Sequence, residues 1–277
     1  MHTYKIVIAG CTKNSGNYIY QRLLKLVEIG DMFNDYQIII YENDSTDNTL
    51  QELEKFKHEY SNNFTLINEN NVLEKYIKYK QIHIRVQTIE HGRNRLLNEI
   101  NEKYSAYDFM LMIDLDNILD NFQTNSISNI FKYDINQWDV LTANCINRYY
   151  DIWALRISNQ VWNEDIHRKI WHKPIMHDCW NEIVDNIRPS FCVKIYQKII
   201  PINTPLIETE SSFGGLGIYK ITKIKNCKYD SFCYDTYGNI LKGQCEHVAF
   251  HKGIKNNGGR IFICPSLLVN CPIEHLQ

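Results

Sequence analysis

Phe109-Met110-Leu111-Met112-Ile113-Asp114-Leu115-Asp116-Asn117 sets an unbroken apolar run against two carboxylates one residue apart. An apolar run of that length, without alternation, fits a strand buried on both faces of a parallel sheet. Two carboxylates where such a strand ends are costly unless neutralised, and a divalent cation carrying diphosphate oxygens neutralises them well. The plain alternative is a pair of solvated turn or helix-cap aspartates. The preceding strand favours the cation, because open parallel sheets bind ligands beyond the carboxyl ends of their strands.

Upstream, short β-branched runs alternate with helical periods, the pattern of an α/β protein with a mostly parallel sheet flanked by helices. Residues 4–9 read as a first strand, followed by a polar turn from Gly10 to Gly16 and a helix carrying Ile19, Leu23, Leu26 and Val27, with Gly30 as a stop. Residues 36–41 read as a second strand, Glu42 to Asp47 as a turn, and Leu50, Leu53 and Phe56 as the start of a second helix. Residues 64–67 form a third strand, and Val86, Ile89, Leu96, Leu97 and Ile100 mark a third helix. Beyond residue 138 the pattern is mixed; residues 138–144, 149–156 and 191–200 read as strands. No repeat, linker or boundary divides the chain, so 1–277 is read as one domain, with 1–117 as a nucleotide-binding half and 118–277 as an acceptor-binding half.

The bulk numbers narrow the class. In 277 residues, 44% are hydrophobic and 22% charged, too apolar for a disordered chain. A net charge of -2 and a pI near 6.5 give no basic footprint for nucleic acid. No apolar run reaches membrane-spanning length and the N-terminus enters a strand, so a cytoplasmic protein is expected. Nine cysteines without C-x-x-C pairs fit reduced thiols better than disulfides or a structural zinc site.

Three polar clusters thus fall at strand ends facing one crevice. The turn from Cys11 through Thr12 and Asn14 to Gly16 can wrap a nucleotide with backbone groups, though it is no P-loop. Glu42 and Asp44 can accept hydrogen bonds from a base or ribose, or cap a helix.

In order, Glu42-Asn43-Asp44-Ser45-Thr46-Asp47-Asn48-Thr49, His91-Gly92-Arg93-Asn94-Arg95-Leu96-Leu97 and Ile113-Asp114-Leu115-Asp116-Asn117 resemble the motif series of GT-A glycosyltransferases. Among these the series is most similar to the fungal capsule-associated α-1,3-mannosyltransferase-like group and related family 2-like enzymes. Residues 150–156, 211–219 and 245–251 resemble later stretches of the same fold. The resemblance implies a transferase moving a sugar from a UDP- or GDP-sugar to a glycan or other hydroxyl acceptor, with Mn2+ or Mg2+. It places Cys11, Thr12, Asn14, Glu42, Asp44, Arg93, Asp114 and Leu115 at the donor, and Asp151, Trp153, Gly214 and Gly215 at the acceptor. It gives the metal to Asp114 and Asp116 and the catalytic carboxylate to Glu246. Four residues apart, His247 and His251 share a face, so one can reach the metal, His251 ahead of His247, and Asp178 and Glu182, an i, i+4 acidic pair beside Trp180, are the rival carboxylates. A base is needed only if the enzyme inverts. A sugar-nucleotide pyrophosphorylase and a catalytically silent nucleotide-sugar or glycan binder are the alternatives.

Overall fold

The computed structural model describes residues 2–76, 84–176, 189–271 and 276. In chain order its first half comprises β1 (His2–Thr12), α1 (Ile19–Gly30), β2 (Phe33–Asn43), α2 (Thr49–Glu59), β3 (Phe64–Glu69), α3 (Val72–Tyr76), α4 (Ile84–Lys103) and β4 (Phe109–Ile113). The second half adds β5 (Val140–Cys145), α5 (Pro189–Tyr196), β6 (Ile207–Thr209), β7 (Leu216–Lys220), α6 (Ile221–Ile224), β8 (Phe232–Tyr234), β9 (Ile240–Gly243), α7 (Glu246–Asn256) and β10 (Ile261–Val269).

Eight strands form one sheet in the order β3-β2-β1-β4-β7-β5-β10-β6, and β8 and β9 make a separate hairpin. The first four are parallel, as are β5 and β10; β7 runs antiparallel between β4 and β5, and β6 antiparallel to β10. Successive strand residues go to opposite layers. Ile6, Ile8, Leu111 and Ile113 pack with Ile19, Leu23 and Leu26 of α1. Val7, Ala9, Met110 and Met112 pack with Leu96, Leu97 and Ile100 of α4 and Phe250 and Ile254 of α7. Burial on both faces is why β4 reads as an unbroken apolar run.

The first two strands run further than the apolar runs suggest, to Thr12 and Asn43, because their ends remain in register, Cys11 with Tyr41 and Thr12 with Glu42. Those polar residues therefore alternate between faces instead of sharing a turn. Helix α1 continues through Gly30 and ends at Asp31, whose N–H bonds back to Val27, while that of Met32 bonds to Ile29.

Two strand readings are corrected. Residues 149–156 form irregular turns, with Tyr149, Ile152 and Leu155 buried together at a spacing of three, which no strand can place on one face. Only Arg156 pairs, in an isolated bridge to Ser211. Residues 191–200 begin inside α5, a helix and not a strand. Seven cysteines among the described residues are free. No helix among the described residues is long and apolar enough to cross a membrane.

Candidate active site

A cavity of about 540 Å³ opens where β1, β2 and β4 end, bounded also by α4 and the first turn of α7. Cys11, Thr12 and Asn14 line it from the end of β1, Asn43 from β2, and Asp114, Leu115 and Asp116 from the segment after β4. Arg93 enters from α4, Glu246 and His247 from α7, and Asp151, Trp153 and Phe213 from the second half. The ends of three strands thus converge, joined by side chains from α4, α7 and the second half.

Arg93 is the hinge of the charge arrangement. It lies three and four residues before Leu96 and Leu97, hence on the apolar face of α4, and is 5% exposed. Its Nη1 donates to Glu246 and its Nη2 to Asp114 Oδ1 at 2.8 Å. The guanidinium also lies over the rings of Phe213 and Tyr229, 5.0 and 5.6 Å from their centroids. Burial disfavours the cation, but Glu246 and Asp114 outweigh that cost and raise its pKa further.

Burial pushes the carboxyl of Asp114 up to about 7, against the pull of Arg93 and with the repulsion of Asp116 and Asp151 added. Yet 34% of the Asp114 side chain is exposed, so it can still meet water or a ligand cation. Burial likewise raises Glu246, with Arg93 opposing. Asp116 accepts the N–H of Ile118 at 3.1 Å, capping a 3-10 turn over Asn117–Leu119. Cation binding and capping are therefore compatible at Asp116.

Glu42 and Asp44 fall elsewhere. Glu42, 1% exposed, accepts from Ser45 N–H and Asn68 Nδ2 and is absent from the cavity lining. Asp44, at φ 53°, accepts the N–H groups of Asn71, Val72 and Leu73 and so caps α3. Asn43 faces the cavity in their place. The alternation of β2 was the missed signal: Ile39 and Tyr41 already point to the α4 layer, and residue 43 follows them. Asp47 and Ser45 tie this segment to the first loop through Gly16 and Asn14 N–H.

The two late histidines divide. His251 is fully buried, with Nδ1 2.9 Å from Ser211 Oγ and Nε2 3.2 Å from Tyr219 OH, and does not line the cavity. Burial, reinforced by Arg93, pushes its pKa down to about 3. His247 does line the cavity, is 2% exposed and stacks on Phe213 at 3.8 Å. Neither of its ring nitrogens has a hydrogen-bond partner among the described residues; Glu246 Oε1 lies 3.9 Å from Nε2. Burial, then Arg93 and His251, hold it well below the usual histidine range, leaving a neutral imidazole with a free lone pair.

No three His, Cys, Asp or Glu side chains among the described residues are gathered closely enough to hold a cation alone. The donor set suits Mn2+ or Mg2+ nonetheless, since such ions take one or two carboxylates and complete their shell with substrate phosphates. Asp114 and Asp116 line the cavity as carboxylates of that kind, and the unpartnered His247 lines it with them.

Of the residues expected at the acceptor, Asp151 accepts the N–H of Gly214 at 2.9 Å, and Gly214 and Gly215 adopt φ of 67° and 87°. A Cβ on Gly215 would meet Ile118 and Tyr150 at 2.9 Å. Trp153 lines the cavity, whereas Trp138 and Trp171 are core. Asp178, Trp180 and Glu182 lie outside the described residues.

No family model and no curated protein sequence matches this chain. Solved structures do. The mannosyltransferase PcManGT from Pyrobaculum calidifontis, in complex with GDP-Man and Mn2+, gives a TM-score of 0.51 at 12% identity over 100% of this chain and 59% of its own. S. aureus TarS 1-349 in complex with UDP gives 0.50 at 15% identity over 96% of this chain and 59% of its own. The chain therefore spans about 59% of the length of each, and at these identities the shared property is the fold, the α/β GT-A arrangement.

Proposed function

We propose that the chain is a glycosyltransferase that moves a sugar from a UDP- or GDP-sugar to a hydroxyl acceptor with Mn2+ or Mg2+, allied to the capsule-associated group its motifs resemble. The observation that carries the reading is the cavity itself, which brings Asp114 and Asp116 together with His247 and the Arg93–Glu246 pair at a parallel sheet's carboxyl end. The two solved structures of like fold, one with GDP-Man and Mn2+ and one with UDP, support it.

Asp114, Asp116 and His247 would hold the cation, which when bound supplies charge neutralisation to the departing diphosphate. Asn43, Cys11 and Asn14 line the part of the cavity taken for the nucleoside. Arg93 fixes Glu246 and Asp114 at a set separation. Glu246 then receives the proton of the acceptor hydroxyl in an inverting transfer, or orients that hydroxyl in a retaining one. Asp151 holds the Gly214 loop against this side of the cavity.

Hydrolysis and transfer with a panel of UDP- and GDP-sugars, with Mn2+ and with EDTA, tests the reading. Cation-dependent release of UDP or GDP from one sugar is expected. Turnover indifferent to EDTA, or release of pyrophosphate from a sugar nucleotide, would overturn it.

A further inference from the structure

A second cavity of about 290 Å³ lies on the other side of the first turn of α7. Gln244 and Val248 line it, bracketing the Cys245–His247 segment that lines the first. Its other walls come from Arg156 and Ser158, from Ile175, Met176 and Glu210, and from Cys233 and Lys242 of the β8–β9 hairpin.

Arg156 is 9% exposed. Its Nη1 is fixed by the carbonyls of Trp153 and Leu155, at 2.9 and 2.8 Å, while Nε and Nη2 have no hydrogen-bond partner among the described residues. Neither is sealed from solvent, and no carboxylate lies within ion-pair distance of the guanidinium among the described residues. A buried cation without a counter-charge is costly, and an anion entering the cavity offsets that cost. Glu210, the acidic residue of the lining, is already taken: Oε1 accepts from Ser158 Oγ at 2.7 Å and Oε2 lies 3.4 Å from Lys255 Nζ. Lys242 adds an exposed positive charge with no ion pair among the described residues, and Ile175, Met176 and Val248 add apolar wall.

We infer that this second cavity binds an anionic group, a phosphate or a carboxylate, carried by the acceptor on a sugar or polyol. The inference rests on the transferase reading for the word acceptor alone. Arg156 is tied to the first cavity through its bond to the carbonyl of Trp153, so an acceptor reaching past Trp153 would bring its charge to the guanidinium's free edge, where a planar fork of donors matches either anion.

Titration calorimetry on the full chain tests this with inorganic phosphate, glucuronate and glucose as probes. One or both anions should bind and glucose should not; a preference for phosphate identifies a phosphorylated acceptor, and one for glucuronate an acidic sugar. Arg156→Gln should weaken the anion by about tenfold or more, the scale of a charge-assisted hydrogen bond. Lys242→Met, on an exposed hairpin that leaves the core intact, should weaken it several-fold. Anion binding unchanged by Lys242→Met in a folded protein, absence of anion binding, or equal binding of glucose overturns the inference. A chain that turns over no nucleotide sugar yet loses phosphate on Lys242→Met overturns the transferase reading and leaves the anion site standing.

Discussion

The carbonyl oxygen of Gly215 accepts the amide N–H of Asp114 at 2.8 Å. This bond continues the β4–β7 pairing one step past Ile113 and Leu216, and it sets the orientation of the first aspartate from a loop a hundred residues later in the chain. Substituting Gly215 with Ala forces a side chain into a left-handed conformation and against Ile118 and Tyr150. Gly215→Ala should cost about 1–3 kcal/mol, with Tm lowered by roughly 2–4 °C per kcal/mol at this size. Thermal denaturation checks it; an unchanged Tm would show the loop to be slack.

Arg93 stands between two carboxylates it alone bridges among the described residues. Removing it leaves Asp114 and Glu246 facing one another in a buried setting, so Arg93→Met should destabilise by about 3–5 kcal/mol. Adding Glu246→Gln removes one of the stranded charges and should recover part of that loss. A urea double-mutant cycle reads the coupling; strict additivity would show that the pair does not share its energy. Glu246→Gln alone should keep nucleotide binding while transfer collapses if the product is inverted, which NMR of the anomeric centre decides.

At Asp44 the expected effect is on α3 and not on the nucleotide. Asp44→Asn keeps a residue that tolerates φ 53° but loses the charge facing three backbone N–H groups, for about 0.5–1 kcal/mol. Burial works to raise the Asp44 carboxyl, but bonds from Asn43, Leu73 and Asn71 together outweigh it, so its folded pKa is lowered. A lowered folded pKa stabilises the fold above the unfolded value, near 3.9, and that contribution is lost as pH falls through the folded value. The stability gap between Asp44→Asn and the parent should therefore be present at neutral pH and close in acid. A gap that persists at the lowest pH, or a large loss of nucleotide affinity with no change in Tm, would return Asp44 to the donor pocket.

Asp116 and the histidine pair separate cation binding from folding. Asp116→Ala should lower turnover by about two orders of magnitude or more, at the modest structural cost of one cap. His247→Ala should weaken Mn2+-dependent nucleotide binding, whereas His251→Ala should chiefly lower Tm, since it removes the buried partner of Ser211 and Tyr219. The reverse pattern in calorimetry and melting curves would assign the cation to His251.

The sequence by itself determined the β–α alternation, the buried β4 and the carboxylates at its end, because apolar periodicity is a local property and strand ends in parallel sheets are ligand sites. It also contained the buried placement of Arg93, in the spacing to Leu96 and Leu97. Tertiary structure decided what depends on contacts across the chain. The pairing of Arg93 with Glu246 spans 153 positions, and no local pattern names the partner. Glu42 and Asp44 were drawn inward by Asn68 and by the start of α3, leaving Asn43 to the cavity. His247 and His251 lie four apart on one helix, and only the packing of Ser211 and Tyr219 against α7 settles which ring is satisfied and which is left with its lone pair free.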